Sequence, residues 1–151
     1  MSKKRKGAKK PENTVDTFVQ VTMTPEQARA VVRALDMYLR VHIGQFNIIS
    51  EQFIGAGIDT RKMEDLLFEA RSLAFPGLFA GRGHSFSASG CPREDAKIAY
   101  DVLQVVRRTE ALGRHPEGGM TVDFNEPLFV SGSSPRPSAR LVGLLDLLAG
   151  A

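Results

Sequence analysis

The chain has 151 residues, 42% of them hydrophobic and 25% charged, which suits one domain with a core and excludes disorder throughout. No apolar run is long enough to span a bilayer and no signal-peptide pattern is present, so a membrane protein is not expected. The formal charge of +3 divides unevenly, because residues 1–10 carry six of the 20 Lys and Arg and no acid, leaving 14 bases against 17 acids. A strongly basic tail is therefore joined to a mildly acidic body, and the body is not a basic nucleic-acid platform. The single cysteine, Cys91, rules out an internal disulfide and points to a reducing compartment, the cytoplasm.

Residues 1–13 lack apolar anchors and are expected to be a disordered basic tail, with residues 3–10 able to make weak nucleic-acid contacts. Residues 14–23, TVDTFVQVTM, alternate apolar and polar side chains and predict a strand. Thr24-Pro25-Glu26-Gln27 then reads as a helix start: Thr24 is the N-cap, Pro25 sits where no donor is missed, and Gln27 closes a capping box. Apolar residues from Ala28 to Phe46 follow at helical spacing, with Gly44 a candidate kink and Gly55-Ala56-Gly57 the end. Asp59 caps a second helix that turns Met63, Leu66, Leu67, Ala70, Leu73 and Ala74 inward. Residues 76–92 form a long Gly/Ser-rich loop of the kind that is commonly functional or mobile. Pro92 opens a third helix running to about Leu112. The stretches MTVDF and LFV fit two short strands around an Asn125-Glu126-Pro127 turn. The expected fold is α+β, three helices packed on a small antiparallel sheet. Residues 14–130 make the domain, and residues 131–151 a linker and an apolar tail.

The third helix carries the candidate site. At about 100° per residue, Ile98, Ala99, Val102, Leu103, Val105, Val106 and Thr109 form its buried face, while Lys97, Asp101, Gln104 and Arg108 face solvent. Arg107 lies on the flank, on one ridge with Tyr100 and Gln104. A flank arginine can lay its alkyl stem over the core edge and still present a bidentate fork to an anion. The simpler reading of Arg107 and Arg108 is a pair of solvated charges at a helix C-terminus. On the first helix Arg29, Arg33, Asp36 and Arg40 share a polar stripe. It reads either as a salt-bridged solvent face or as a source of Arg33 or Arg40 to meet Arg107 on a phosphate. His42, His84, His115 and Cys91 have no metal-ligand spacing, and no nucleophile–base set is visible, so neither a catalytic site nor a cofactor is expected. The GRGHS stretch at 81–85 is neither a Walker nor a Rossmann loop, although its backbone could offer donors to an anion.

The stretches TPEQARAVVRALDMYLRVHIGQF, AKIAYDVLQVVRR and RHPEGGMTVDFNEP resemble a family of small proteins of tailed phages and prophages. The resemblance covers most of residues 23–130. The architecture is also similar to that of the phage anti-Thoeris sponges, which do no chemistry. They sequester cyclic ADP-ribose-type immune signals, and some hold cyclic oligonucleotides, in pockets shared between subunits. The resemblance implies a non-enzymatic, homo-oligomeric nucleotide-binding protein acting in the host cytoplasm during infection, with the virion as another place for it. Arg107 takes the arginine role, and Asp123 stands in for an acid expected near position 113, where this chain has Gly113. Phe86 or Phe79 supplies a stacking ring, and Ser89 or Gly90 sits where an amide is expected. The implied ligand set is Arg107, Arg108, Arg40, Arg33, Phe86, Tyr100 and Asp123. The competing expectation is a phage structural or host-interacting protein whose basic tail touches nucleic acid.

Overall fold

The computed structural model describes residues 18–78 and 84–143. Among these residues it is all-α. Helix α1 spans Pro25–His42, α2 Asn47–Glu51, α3 Thr60–Ala74 and α4 Glu94–Arg114, followed by a 3-10 turn at Val122–Phe124. The expected α+β fold is therefore corrected: the described residues contain no strand. No helix among them is long and apolar enough to cross a membrane.

The reasons are local. Residues 18–23 are irregular, and Phe18, Val19 and Val21 are exposed, because alternation makes a strand only where a partner edge pairs it and a core covers one face. In MTVDF, the amides of Phe124 and Asn125 turn back to the carbonyls of Thr121 and Val122 at 3.1 and 3.3 Å, which closes a 3-10 turn instead. In LFV, the amide of Val130 donates to the Asp101 carboxylate at 2.8 Å, so a buried side chain takes the bond that a neighbouring strand would have accepted.

The helix starts follow the sequence. Thr24 accepts from the Gln27 amide at 3.3 Å, and the Gln27 side chain accepts from the Thr24 amide at 2.8 Å. Asp59 accepts from the Lys62 amide at 3.1 Å. The first helix ends at His42, and Gly44 is a full break, not a kink. Gly44 has φ +87°, a left-handed backbone that favours glycine, and a Cβ there would stand 2.7 Å from Leu78 Cδ1, so that leucine tip would have to shift. Helix α4 starts at Glu94, after Pro92.

Helices α1 and α4 pack antiparallel: Arg29 meets Glu110 at one end, and Tyr38 meets Asp95 at the other. Leu39, Ile43, Cys91 and Ala96 form the core between them, with Phe86, Ala88 and Tyr100 packed against it. Two orientations differ from expectation. Asp101 and Gln104 are buried at 0% and 6% exposure, not solvent-facing, because a second layer covers that side of α4. Residues 130–136, the start of the expected linker, form that layer. Asp101 accepts from the amides of Val130 and Ser131, the Ser131 hydroxyl and Arg136. Ile98, expected inside, is 40% exposed. Helix α3 is also rotated from its expected phase. Leu66, Ala70, Leu73 and Ala74 are exposed, Met63 and Leu67 are half-buried, and Arg71 is the buried residue, donating to the His84 carbonyl. Phe75, just after α3, makes edge-to-face contacts at 6.0 Å with both Phe46 and Phe86, so α3 meets the body along its Arg71–Phe75 side.

Candidate functional site

Near the end where α1 begins and α4 finishes, an open cleft of about 230 Å³ is lined by Arg29, Val32 and Arg33 of α1, Arg107, Glu110 and Arg114 of α4, and Asp123 of the 3-10 turn. Helical geometry explains the convergence. Arg29 and Arg33 are one turn apart, and Arg107, Glu110 and Arg114 fall at i, i+3 and i+7, so each helix turns one edge of its contact face toward the other. The 3-10 turn then carries Asp123 across the open side.

The charges are organised around Glu110, whose side chain is 10% exposed. It accepts from Arg29 at 3.0 Å and from Arg114 at 2.8 Å. Arg29 also reaches Glu26 at 2.9 Å. Arg107 donates through Nη2 to Gln104 Oε1 at 2.9 Å, so the buried amide of Gln104 fixes one side of the fork. Its Nε lies 3.4 Å from Asp123 Oδ1, close enough for an ion pair. That contact is off the hydrogen-bond line, and the buried Nε–H has no acceptor among the described residues. Arg33 is exposed, and among the described residues it has neither an ion pair nor a hydrogen bond. Four guanidinium groups therefore share the cleft with two carboxylates. Arg33 is left to meet an anion from outside, while the Nε–H of Arg107 is buried beside Asp123.

Of the seven residues implied as ligands, the structure brings Arg33, Arg107 and Asp123 together in this cleft. Arg108 lies beside it and pairs with Glu126, which ties α4 to the segment after the turn. Arg40 is about two turns up α1 from Arg33, held by Asp36 at 2.8 Å and Gln45 at 3.1 Å. Phe86 and Tyr100 pack against the core, and the Phe86 amide donates to the Ile43 carbonyl at 2.9 Å. These three side chains do not line the cleft. Phe79 and Gly81 to Gly83 lie outside the described residues, so the loop reading of GRGHS falls largely there. Arg29, Glu110 and Arg114 were missed as site residues. The i, i+3, i+7 spacing of Arg107, Glu110 and Arg114 was the available signal. The described residues hold no group of three His, Cys, Asp or Glu side chains placed to bind a metal.

At the opposite end of the helix pair, Tyr38, Asp95 and Arg93 form a surface network. Arg93 donates to Asp95 at 3.0 Å, and the Tyr38 hydroxyl donates to it at 2.8 Å. Hydrogen bonds from Arg93 and then Tyr38 hold the Asp95 carboxyl well below the usual carboxylate range. The same bond to Asp95 raises the Tyr38 hydroxyl. Comparison of the chain with protein-family models, curated proteins and solved structures finds no match.

Proposed function

We propose that the chain is a non-enzymatic binding protein whose arginine cleft holds the phosphate or pyrophosphate of a nucleotide-type ligand, sequestering a cyclic ADP-ribose-type or cyclic-nucleotide signal. The observation that carries this reading is the unmatched cation capacity of the cleft: Arg33 has no partner among the described residues, and Arg107 keeps a buried Nε–H without an acceptor. A phosphate dianion supplies both charge and acceptors, and guanidinium forks bind it bidentately. Glu110 and Asp123 are engaged by arginines, which suits a rigid holder more than a proton carrier. In this reading Asp123, beside Arg107 in the cleft lining, accepts from a ribose hydroxyl of the ligand. At about 230 Å³ the cleft is smaller than the roughly 300–1,000 Å³ of typical ligand pockets, so it takes a phosphate-sized part of the ligand and leaves the nucleoside part outside.

Isothermal calorimetry of the full chain with inorganic pyrophosphate, ADP-ribose, cyclic ADP-ribose isomers and cyclic dinucleotides tests the proposal. Saturable binding of at least one nucleotide, lost in Arg107→Ala, is the expected result. If the wild-type chain binds none of them, the reading is wrong.

A further inference from the structure

Asp123 stands where a phosphate on Arg107 would have to go. Gln104 holds Nη2 of that arginine at 2.9 Å, and Asp123 Oδ1 lies 3.4 Å from its Nε. The second contact has the charges of an ion pair without the line of a hydrogen bond, since the buried Nε–H has no acceptor among the described residues. Asp123 is therefore a poorly seated counter-ion: it neutralises Arg107 and leaves the donor unsatisfied. The backbone that carries it is fixed by other contacts. On one side the Phe124 ring lies so close over Gly119 that a side chain there would meet it, and the ring faces His115 edge-to-face at 6.4 Å. On the other side Glu126 pairs with Arg108. The Asp123 side chain is 38% exposed, so a change of rotamer turns it off Arg107 while the turn stays in place.

We infer that Asp123 sets the specificity of the cleft: it is a tethered counter-ion that an incoming phosphate displaces from Arg107, and its freed carboxylate is satisfied only by a ligand that also brings a hydroxyl. The inference rests on the reading of the cleft as a nucleotide phosphate site and names the residue that tells a nucleotide from a bare anion. The charge balance gives Asp123 this weight. Arg29, Arg33, Arg107 and Arg114 are met by Glu110 and Asp123 in the cleft and by Glu26, which pairs with Arg29, so only one positive charge is in excess. Inorganic phosphate or pyrophosphate that takes Arg107 is left beside a carboxylate that repels it. A ribosyl pyrophosphate displaces the same carboxylate and offers it a hydroxyl donor, so the displaced group keeps a hydrogen bond. Discrimination then comes from a repulsive group already in the cleft, which disfavours the bare anion more than the nucleotide.

Calorimetry of the full chain with inorganic pyrophosphate and with ADP-ribose tests this, on wild type, Asp123→Asn and Asp123→Ala, with circular dichroism to check that the helices are retained. Wild type should bind ADP-ribose more tightly than pyrophosphate. Both substitutions should tighten pyrophosphate by about fivefold, the scale of losing one partly exposed charge contact, and should leave ADP-ribose no tighter than in wild type. The preference for the nucleotide then falls by about the same factor. Pyrophosphate affinity that is unchanged or weaker in both variants overturns the inference and leaves the cleft itself standing as an anion site. So does a wild type that prefers bare pyrophosphate, or an equal gain for both ligands. If neither ligand binds to any of the three chains, the inference falls together with the reading of the cleft.

Discussion

Arg107 and Arg108 are neighbours with different work to do. Arg107 turns into the cleft between Gln104 and Asp123, while Arg108 pairs with Glu126, whose side chain is 81% exposed. If the cleft holds a phosphate, the fork of Arg107 matters and not its charge alone, so Lys in its place keeps the charge and loses bidentate contact. Arg107→Ala should cost roughly 2–5 kcal/mol of ligand binding, Arg107→Lys less, and Arg108→Ala below about 1 kcal/mol. Arg33→Ala should weaken binding while leaving the melting temperature unchanged, since that side chain has no partner among the described residues. Calorimetry with thermal melting on the same samples checks the order, and a larger loss from Arg108→Ala than from Arg107→Ala would place the ligand on the other side of α4. Asp101 is the opposite kind of residue. It is fully buried and accepts from two backbone amides and the Ser131 hydroxyl. Asp101→Ala strands those donors and should destabilise the fold by about 3 kcal/mol, read as a lowered denaturation midpoint. A change under about 1 kcal/mol would mean that the 130–136 layer contributes little to stability.

At the scale of elements, α1 and α4 are joined by polar contacts at both ends, and these were legible to different degrees. The start of α1 and the cap of α3 were readable, because a capping box and an Asp N-cap are decided by residues three apart. The strands were not, because alternation in MTVDF and LFV says nothing of what will accept the backbone donors. Here Asp101 and the turn itself accept them. Asp101 looked like a solvent residue for the same reason: one helix phase assumes one buried face, and α4 has two. The cleft was half legible, since α1 was expected to bring Arg33 or Arg40 toward Arg107, while helix register chooses Arg33. The far contact of the pair, Asp95 with Arg93 and Tyr38, gives a pH prediction. Its carboxyl is depressed in the fold, so the stability it contributes is complete above the ordinary carboxylate value of 3.8 and is lost as pH falls below it. Melting temperature from pH 7 to pH 2.5 should therefore fall more steeply for wild type than for Asp95→Asn, with the gap between the curves narrowing toward the acid end. Parallel curves would show that the network does not couple to folding.

For the whole molecule, charge is the property that separates the two broad readings of function. The arginine cleft belongs to a body in which 17 acids outnumber the 14 bases beyond residue 10, while six bases lie in residues 1–10, outside the described part of the structure. A local positive cleft in a net-negative body suits a small anion that can enter it, and repels the long polyanion of a nucleic acid. The tail has the reverse composition: six bases without an acid are the pattern that neutralises phosphates along a duplex with no base readout. Any duplex binding by the chain should therefore be sequence-indifferent, and the logarithm of its affinity should fall with the logarithm of salt at a slope of about −5. Deleting residues 1–12 should abolish that binding and leave nucleotide affinity in the cleft within about twofold. Fluorescence anisotropy with two unrelated duplexes across a salt series, beside calorimetry on the same truncated protein, reads both effects. Duplex binding that survives the deletion, or a slope near zero, would move the nucleic-acid contact onto the body. Nucleotide affinity that disappears with the tail would mean that the cleft is not the site by itself.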